Sequence, residues 1–255
     1  MMKTLFITLN FLWVGILSAQ DLIGAKWRIN NILGADINKE DFYILTPEWS
    51  YGKHLQLSTD GNFKSWYSAP CGNDCFTTSY GTYKKISEEY ISFHIQKVER
   101  SGWCSDAGEV EKNETNTYYV YKKSESEIYL LKTTGNHSKD LQKATYAKVL
   151  ADNIRIIPKD NYSSFGNITL PSKLTCQQRA DNYTSQYLKL TNYELCVTGS
   201  KDFISVHLVK DLDKNAYYYI VERPLKEGYG LFHYTEDQVK ELFRDYYEKR
   251  YGKRK

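Results

Sequence analysis

Between residues 26 and 132, apolar and polar side chains alternate in short runs separated by turn signals. A period of two can be buried only by β-strands with one apolar and one wet face. Leu55 and Leu57 fall on one side of such a strand, and His54, Gln56 and Ser58 on the other. Asp60-Gly61 follows, a pair that tolerates the positive φ of a tight hairpin, and Phe63 starts the return strand. The pattern repeats at Tyr80, Thr82 and Lys84 and turns at Ser87-Glu88-Glu89. It comes back through Ile91, Phe93 and Ile95, alternating with Ser92, His94 and Gln96. A third hairpin joins residues 118–121 to 128–131 across a polar loop at 122–127. Strands joined by short turns pair with their neighbours, and closing the sheet removes its edges, so an antiparallel meander barrel is predicted for residues 20–150.

Composition agrees. Aromatics reach 15%, with 23 Tyr and 10 Phe against 2 Met, and such residues favour pleated, half-buried surfaces. Hydrophobic residues at 41% and charged ones at 25% exclude a disordered chain.

Near residue 150 the character changes. Residues 139–150 fit neither period, so a short helix and a last strand both stand. Pro158, Gly166 and Pro171 among many Ser, Asn and Asp residues mark 151–175 as a linker or long loops. A second, smaller β-rich region over 176–255 is predicted from strands at 187–190, 193–197, 203–209, 216–221 and 229–234. It ends in a helix: Thr235 and Gln238 make a capping box, and Val239, Leu242, Phe243 and Tyr246 follow at helical spacing. The fold class is therefore mainly β, a barrel followed by a β-rich region with a C-terminal α-helix.

Residues 1–19 carry Lys3, an apolar run from Leu5 to Leu17 and then Ser18-Ala19, the order of a secretion signal cleaved after Ala19. The run is too short to span about 30 Å of hydrocarbon, and no later stretch is long and apolar enough. The mature chain is expected in the periplasm or outside the cell, with no integral membrane segment. Five cysteines are then read first as disulfides. Cys176 and Cys196 are expected to join. Cys71, Cys75 and Cys104 leave one over: Cys75 with Cys104 is the pairing chosen, Cys71 being the other candidate partner of Cys104. The alternative of a zinc site, these three with Asp74, His94 or Asp106, lacks the usual two-residue spacing, and no metal is assigned.

Gly24-Ala25-Lys26-Trp27, then Leu55-x-Leu57-x2-Asp60-Gly61-x-Phe63, Gly81-x-Tyr83 and Tyr90-Ile91-x-Phe93, resemble the lipocalin-like domains of exported bacterial proteins over about residues 21–135. The Gly-x-x-Trp spacing departs from the Gly-x-Trp of lipocalins. The segment from Cys75 to Tyr83, with Cys104 downstream, also resembles the META domain pattern, which implies a bond between two such cysteines. The lipocalin resemblance implies a barrel, and both resemblances leave 150–255 unaddressed.

No catalytic set stands out. His54, His94, His137, His207 and His233 are scattered, with His54, His94 and His207 on polar sides of strands. The pairs Glu88-Glu89 and Glu109 with Glu111 fall in predicted turns. Gly-x-Ser-x-Gly, His-Glu-x-x-His and phosphate-cradling loops are absent, and no cofactor is implied. The leading reading is a binding module holding a small apolar or amphipathic ligand, with Trp27, Leu55, Leu57, Phe63, Phe93 and Ile95 facing inward. The same residues would equally serve to fill the barrel. A second reading is an envelope-associated interaction protein using Tyr217, Tyr218, Tyr219 and the C-terminal helix. A third is a hydrolase whose carboxylates meet only in space. The net charge of +3 and one basic cluster, Lys249, Arg250, Lys253, Arg254 and Lys255, do not make a nucleic-acid face. The Asn-x-Ser/Thr sites at Asn113, Asn136, Asn161, Asn167 and Asn182 are read as chance occurrences.

Overall fold

A computed structural model of the chain describes residues 22–35, 41–47, 50–158, 168–201 and 204–251. The expected signal at 1–19, the sites at Asn161 and Asn167, Phe203 at the start of one expected strand, and residues 253–255 of the basic cluster lie outside the described residues.

Eight antiparallel strands close into a barrel: β1 (Lys26–Ile29), β2 (Phe42–Pro47), β3 (Gly52–Leu57), β4 (Asn62–Ser68), β5 (Cys75–Lys85), β6 (Tyr90–Gly102), β7 (Gly108–Ser124) and β8 (Glu127–Lys132). Strands β3 to β8 form the expected meander. Between β2 and β3 the neighbour rule fails, because β1 lies between them and pairs with both, Trp27 standing opposite Pro47 on one side and Leu55 on the other. The Asp60-Gly61 turn forms as read: Gly61 takes φ 87°, its N–H donates to the Ser58 carbonyl at 3.1 Å, and Asp60 accepts from the Asn62 N–H at 3.0 Å. Strands β5, β6 and β7 run beyond the barrel, where the Cys75–Cys104 disulfide ties the tip. Glu109 and Glu111 therefore sit on exposed β7 rather than in a turn, since β7 continues to pair with β6 there.

The second half starts with α1 (His137–Ile154), which settles the open choice at 139–150. Its Asn136 cap accepts from the Lys139 N–H at 3.1 Å. Ala144, Ala147, Leu150, Ala151 and Ile154 recur at helical spacing and are buried. Then come β9 (Thr169–Leu170), α2 (Cys176–Gln186), β10 (Tyr193–Lys201), β11 (Ile204–Asp211), β12 (Ala216–Pro224), β13 (Tyr229–Thr235) and α3 (Glu236–Tyr251). The five strands form one sheet in the order β10-β11-β12-β13-β9. Residues 187–190 are not a strand. They close α2, with the Tyr187 N–H donating to the Tyr183 carbonyl at 2.9 Å.

This sheet has two unlike faces. Val197, Val206, Leu208, Tyr219, Val221 and Phe232 point toward α1 and the barrel's outer wall, joining Phe42, Tyr119, Tyr129, Leu131 and Val239 of α3 in one apolar cluster. The opposite face packs against α2 through Tyr183, Val209, Ile220 and Leu231. The α3 capping box forms as expected, the Gln238 N–H donating to Thr235 Oγ1 at 3.3 Å and the Thr235 N–H to Gln238 Oε1 at 2.8 Å. Of its apolar stripe, Val239 is buried, while Phe243 and Tyr246 remain exposed.

Candidate functional site

All six barrel residues singled out in the sequence belong to one packed interior. Leu55, Leu57, Phe93 and Ile95 are fully buried, and Phe63 and Trp27 nearly so. Rings meet edge to face across the barrel, Phe63 with Phe93 at 5.2 Å and Phe93 with Tyr118 at 5.8 Å between centroids. The segment after β1 presses into the barrel mouth. The Leu33 N–H donates to Ser65 Oγ at 3.2 Å, and its carbonyl accepts from Ser79 Oγ at 2.5 Å. A Cβ on Gly34 would come within 2.6 Å of Ile95 Cδ1, so the close approach requires glycine there. Two buried serines in an apolar barrel are thus accounted for: they satisfy the backbone of an inserted loop.

A cleft of about 480 Å³ opens where the barrel mouth faces the first turn of α2. The barrel side contributes Tyr43, Lys112, Glu114, Asn116, Tyr118 and Lys132, and the other side Thr175, Cys176, Gln177 and Thr198. Asn113, between two lining residues, takes φ 48° where the pairing of β6 with β7 changes register. Asp41 clamps the two walls together. Its Oδ2 accepts from the Thr198 N–H at 2.8 Å, its Oδ1 from Lys143 Nζ at 2.8 Å, and its own carbonyl from the Lys132 N–H at 2.9 Å.

Behind the cleft wall, the α2-facing side of the sheet buries a polar cluster that the sequence reading missed. A narrow recess lined by Asp41, Gln177, Thr198 and His207 leads to it. Cys176 opens α2, preceded by Thr175, whose side chain accepts from the Gln178 N–H in a full capping box. Its Sγ lies 3.7 Å from His207 Nε2 on β11. His207 Nδ1 lies 2.9 Å from Thr198 Oγ1 on β10, and Nε2 stands 3.9 Å from Glu222 Oε2 on β12. Glu222 is gripped by Arg179, one turn beyond Cys176, through bonds of 2.6 and 2.8 Å, and Arg179 also donates to the Leu174 carbonyl. Burial pushes the Cys176 thiol up to about 12, with the Glu222 charge adding to it. Burial also holds His207 below its ordinary value, against the opposing pull of Glu222 and Asp41. The resting pair is a neutral thiol beside a neutral imidazole.

The expected bond between Cys176 and Cys196 does not form; both are free thiols. Cys176 starts a helix on one face of the sheet, whereas Cys196 belongs to the apolar cluster on the other, so the sheet separates them. Cys71 is free and exposed. His207 is buried because α2 covers the polar side of β11, and His54 is buried too, stacked on Trp66 at 5.0 Å, while His94 bonds Thr115 at 3.0 Å on the exposed side of β6. The three consecutive tyrosines are taken up by the chain's own packing. Tyr219 is buried and bonded by Asn153 at 3.0 Å, Tyr217 meets Tyr146 edge-on at 6.4 Å, and Tyr218 meets the His233 ring at 6.1 Å. Among the described residues, no helix is long and apolar enough to cross a membrane. No family model, no curated protein and no solved structure matches the chain.

Proposed function

We propose that the chain binds a small molecule in the cleft between the barrel mouth and α2, with the barrel acting as a filled scaffold that supplies one wall. The observation that carries this reading is the contrast between an interior occupied by the chain's own side chains and an open cleft of about 480 Å³. That volume falls within the roughly 300–1,000 Å³ of small-molecule sites. Its lining sets the chemistry: Lys112 and Lys132 offer cations, Glu114 a carboxylate, and Tyr43 and Tyr118 an apolar patch. Such a mixture suits an amphipathic molecule carrying both signs of charge, such as a short peptide. On this reading Trp27, Leu55, Leu57, Phe63, Phe93 and Ile95 fill the barrel rather than touch ligand. Export, read from residues 1–19, is supported by a disulfide at an exposed tip, which suits an oxidising compartment.

Saturation-transfer NMR with dipeptides and with a fatty acid tests the reading. Dipeptides are expected to bind, and Asn116→Trp, which places an indole in the cleft from β7, is expected to remove their signal. Fatty-acid binding that persists in Asn116→Trp would return the ligand to the barrel interior and overturn the proposal.

A further inference from the structure

The geometry points to Cys176 and His207 as a nucleophile–base pair that hydrolyses an ester or amide bond of an acyl group held in the cleft. The inference rests on the cleft reading and adds chemistry to it. Three independent placements converge. Cys176 both lines the cleft and heads an 11-residue helix, whose oriented N–H groups favour negative charge at sulfur and at an oxyanion beside it. His207 Nε2 stands 3.7 Å from Sγ. The tautomer that donates Nδ1–H to Thr198 Oγ1 leaves Nε2 as the acceptor for the thiol proton, so Thr198 is a positioning residue, itself fixed by Asp41. The amides of Cys176 and Gln177, in the first turn of α2, bond to nothing among the described residues, as expected of helix-start donors. They are the available donors for a developing oxyanion.

The step balances with water as the co-reactant. The Cys176 S–H proton passes to His207 Nε2 as the Sγ–carbonyl carbon bond forms, and the carbonyl π pair moves onto oxygen. Collapse breaks the bond to the leaving alcohol or amine, which takes the proton from Nε2. Water then gives a proton to Nε2 and attacks the thioester; the C–S bond breaks, and the thiolate recovers the proton. Glu222 faces the imidazolium that forms at each stage, while Arg179 occupies both carboxylate oxygens. The same occupancy argues against the other use of this cluster. The ligand atoms of Cys176, His207 and Glu222 lie within 4.8 Å of one another, close enough to share a metal ion, but a divalent ion there would meet the Arg179 cation.

The test is acylation of the full chain by p-nitrophenyl acetate, followed by p-nitrophenolate release and by intact and peptide mass spectrometry. A burst with one acetyl group on Cys176 is expected, absent in Cys176→Ala and unchanged in Cys71→Ser and Cys196→Ser. His207→Gln is expected to slow acylation about 100-fold or more. Should that variant unfold, Thr198→Val serves. It removes the Nδ1 partner of the imidazolium, and the pH midpoint of acylation is expected to fall relative to the parent chain. Acetylation confined to Cys71, an unchanged rate in His207→Gln, an unmoved midpoint in Thr198→Val, or stoichiometric zinc in the purified protein would each overturn the pair. Dipeptide binding without acetylation of Cys176 removes the chemistry and leaves the cleft reading; acetylation without dipeptide binding does the reverse.

Discussion

The barrel interior and the α2-facing side of the second sheet are both buried, yet they are built from opposite materials. The barrel buries leucines, isoleucines and edge-to-face rings, and its two serines serve an inserted loop. The α2 face buries Arg179, Ser205, His207 and Glu222. Apolar burial stabilises without further conditions, whereas each buried charge or ring nitrogen requires a partner to offset the loss of water. An expensive polar cluster opening on a cleft is therefore the part of the molecule whose composition stability alone does not explain.

The largest effects should separate the two regions by how they are repaired. Phe93→Ala is expected to cost about 3–5 kcal/mol in denaturant unfolding, because it removes a ring that contacts Phe63, Tyr83 and Tyr118. Glu222→Ala should cost a similar amount, about 3–5 kcal/mol, by stranding the Arg179 cation. The double change Arg179→Met with Glu222→Leu should recover most of that loss, since well-packed apolar residues replace a buried ion pair at little cost. A double variant as unstable as Glu222→Ala would show that the pair itself holds α2 to the sheet.

Next in size is the disulfide. Cys75→Ala with Cys104→Ala is expected to cost about 2–3 kcal/mol in unfolding experiments. The bond ties the tip of the β5–β6–β7 extension and neither cysteine lines the cleft, so dipeptide binding should be unaffected. Loss of binding in that variant would mean that the extension shapes the cleft.

The smallest effect is on pH dependence. Burial lowers His207 and His233 in the folded chain, so in acid the unfolded chain takes up more protons than the folded one. Stability should be fully present at neutral pH and fall as pH drops below 6.5, by at most about 1.4 kcal/mol per pH unit for each histidine. His207→Gln should flatten the curve, and Phe93→Ala should shift it without changing its slope.

Much of the fold was legible because its signals are local. The Asp60-Gly61 turn, the alternation through Ile91, Phe93 and Ile95, and the Thr235/Gln238 box each act within a few residues. The insertion of β1 between β2 and β3 was not legible, because it depends on which strand reaches the open seam of the barrel. Helix α2 was missed although Thr175 and Gln178 form a capping box, because Gln177, Gln178, Asp181, Asn182 and Ser185 leave only a thin buried face at Ala180, Tyr183 and Thr184. The candidate site was lost with it. Without a helix over 176–186, His207 looks like a wet-face residue, and Cys176 looks like a disulfide partner for Cys196. The signal that would have found them is the alternation itself, which places His207 and Glu222 on one face of adjacent strands.

Amide chemical-shift mapping during titration with a dipeptide tests the division between scaffold and site most directly. Perturbations should gather at Cys176, Gln177, Thr198, Asn116 and Lys132, with Leu55, Leu57, Phe93 and Ile95 unmoved. Shifts centred on those four barrel residues would contradict it, placing the ligand where the chain is held to be full.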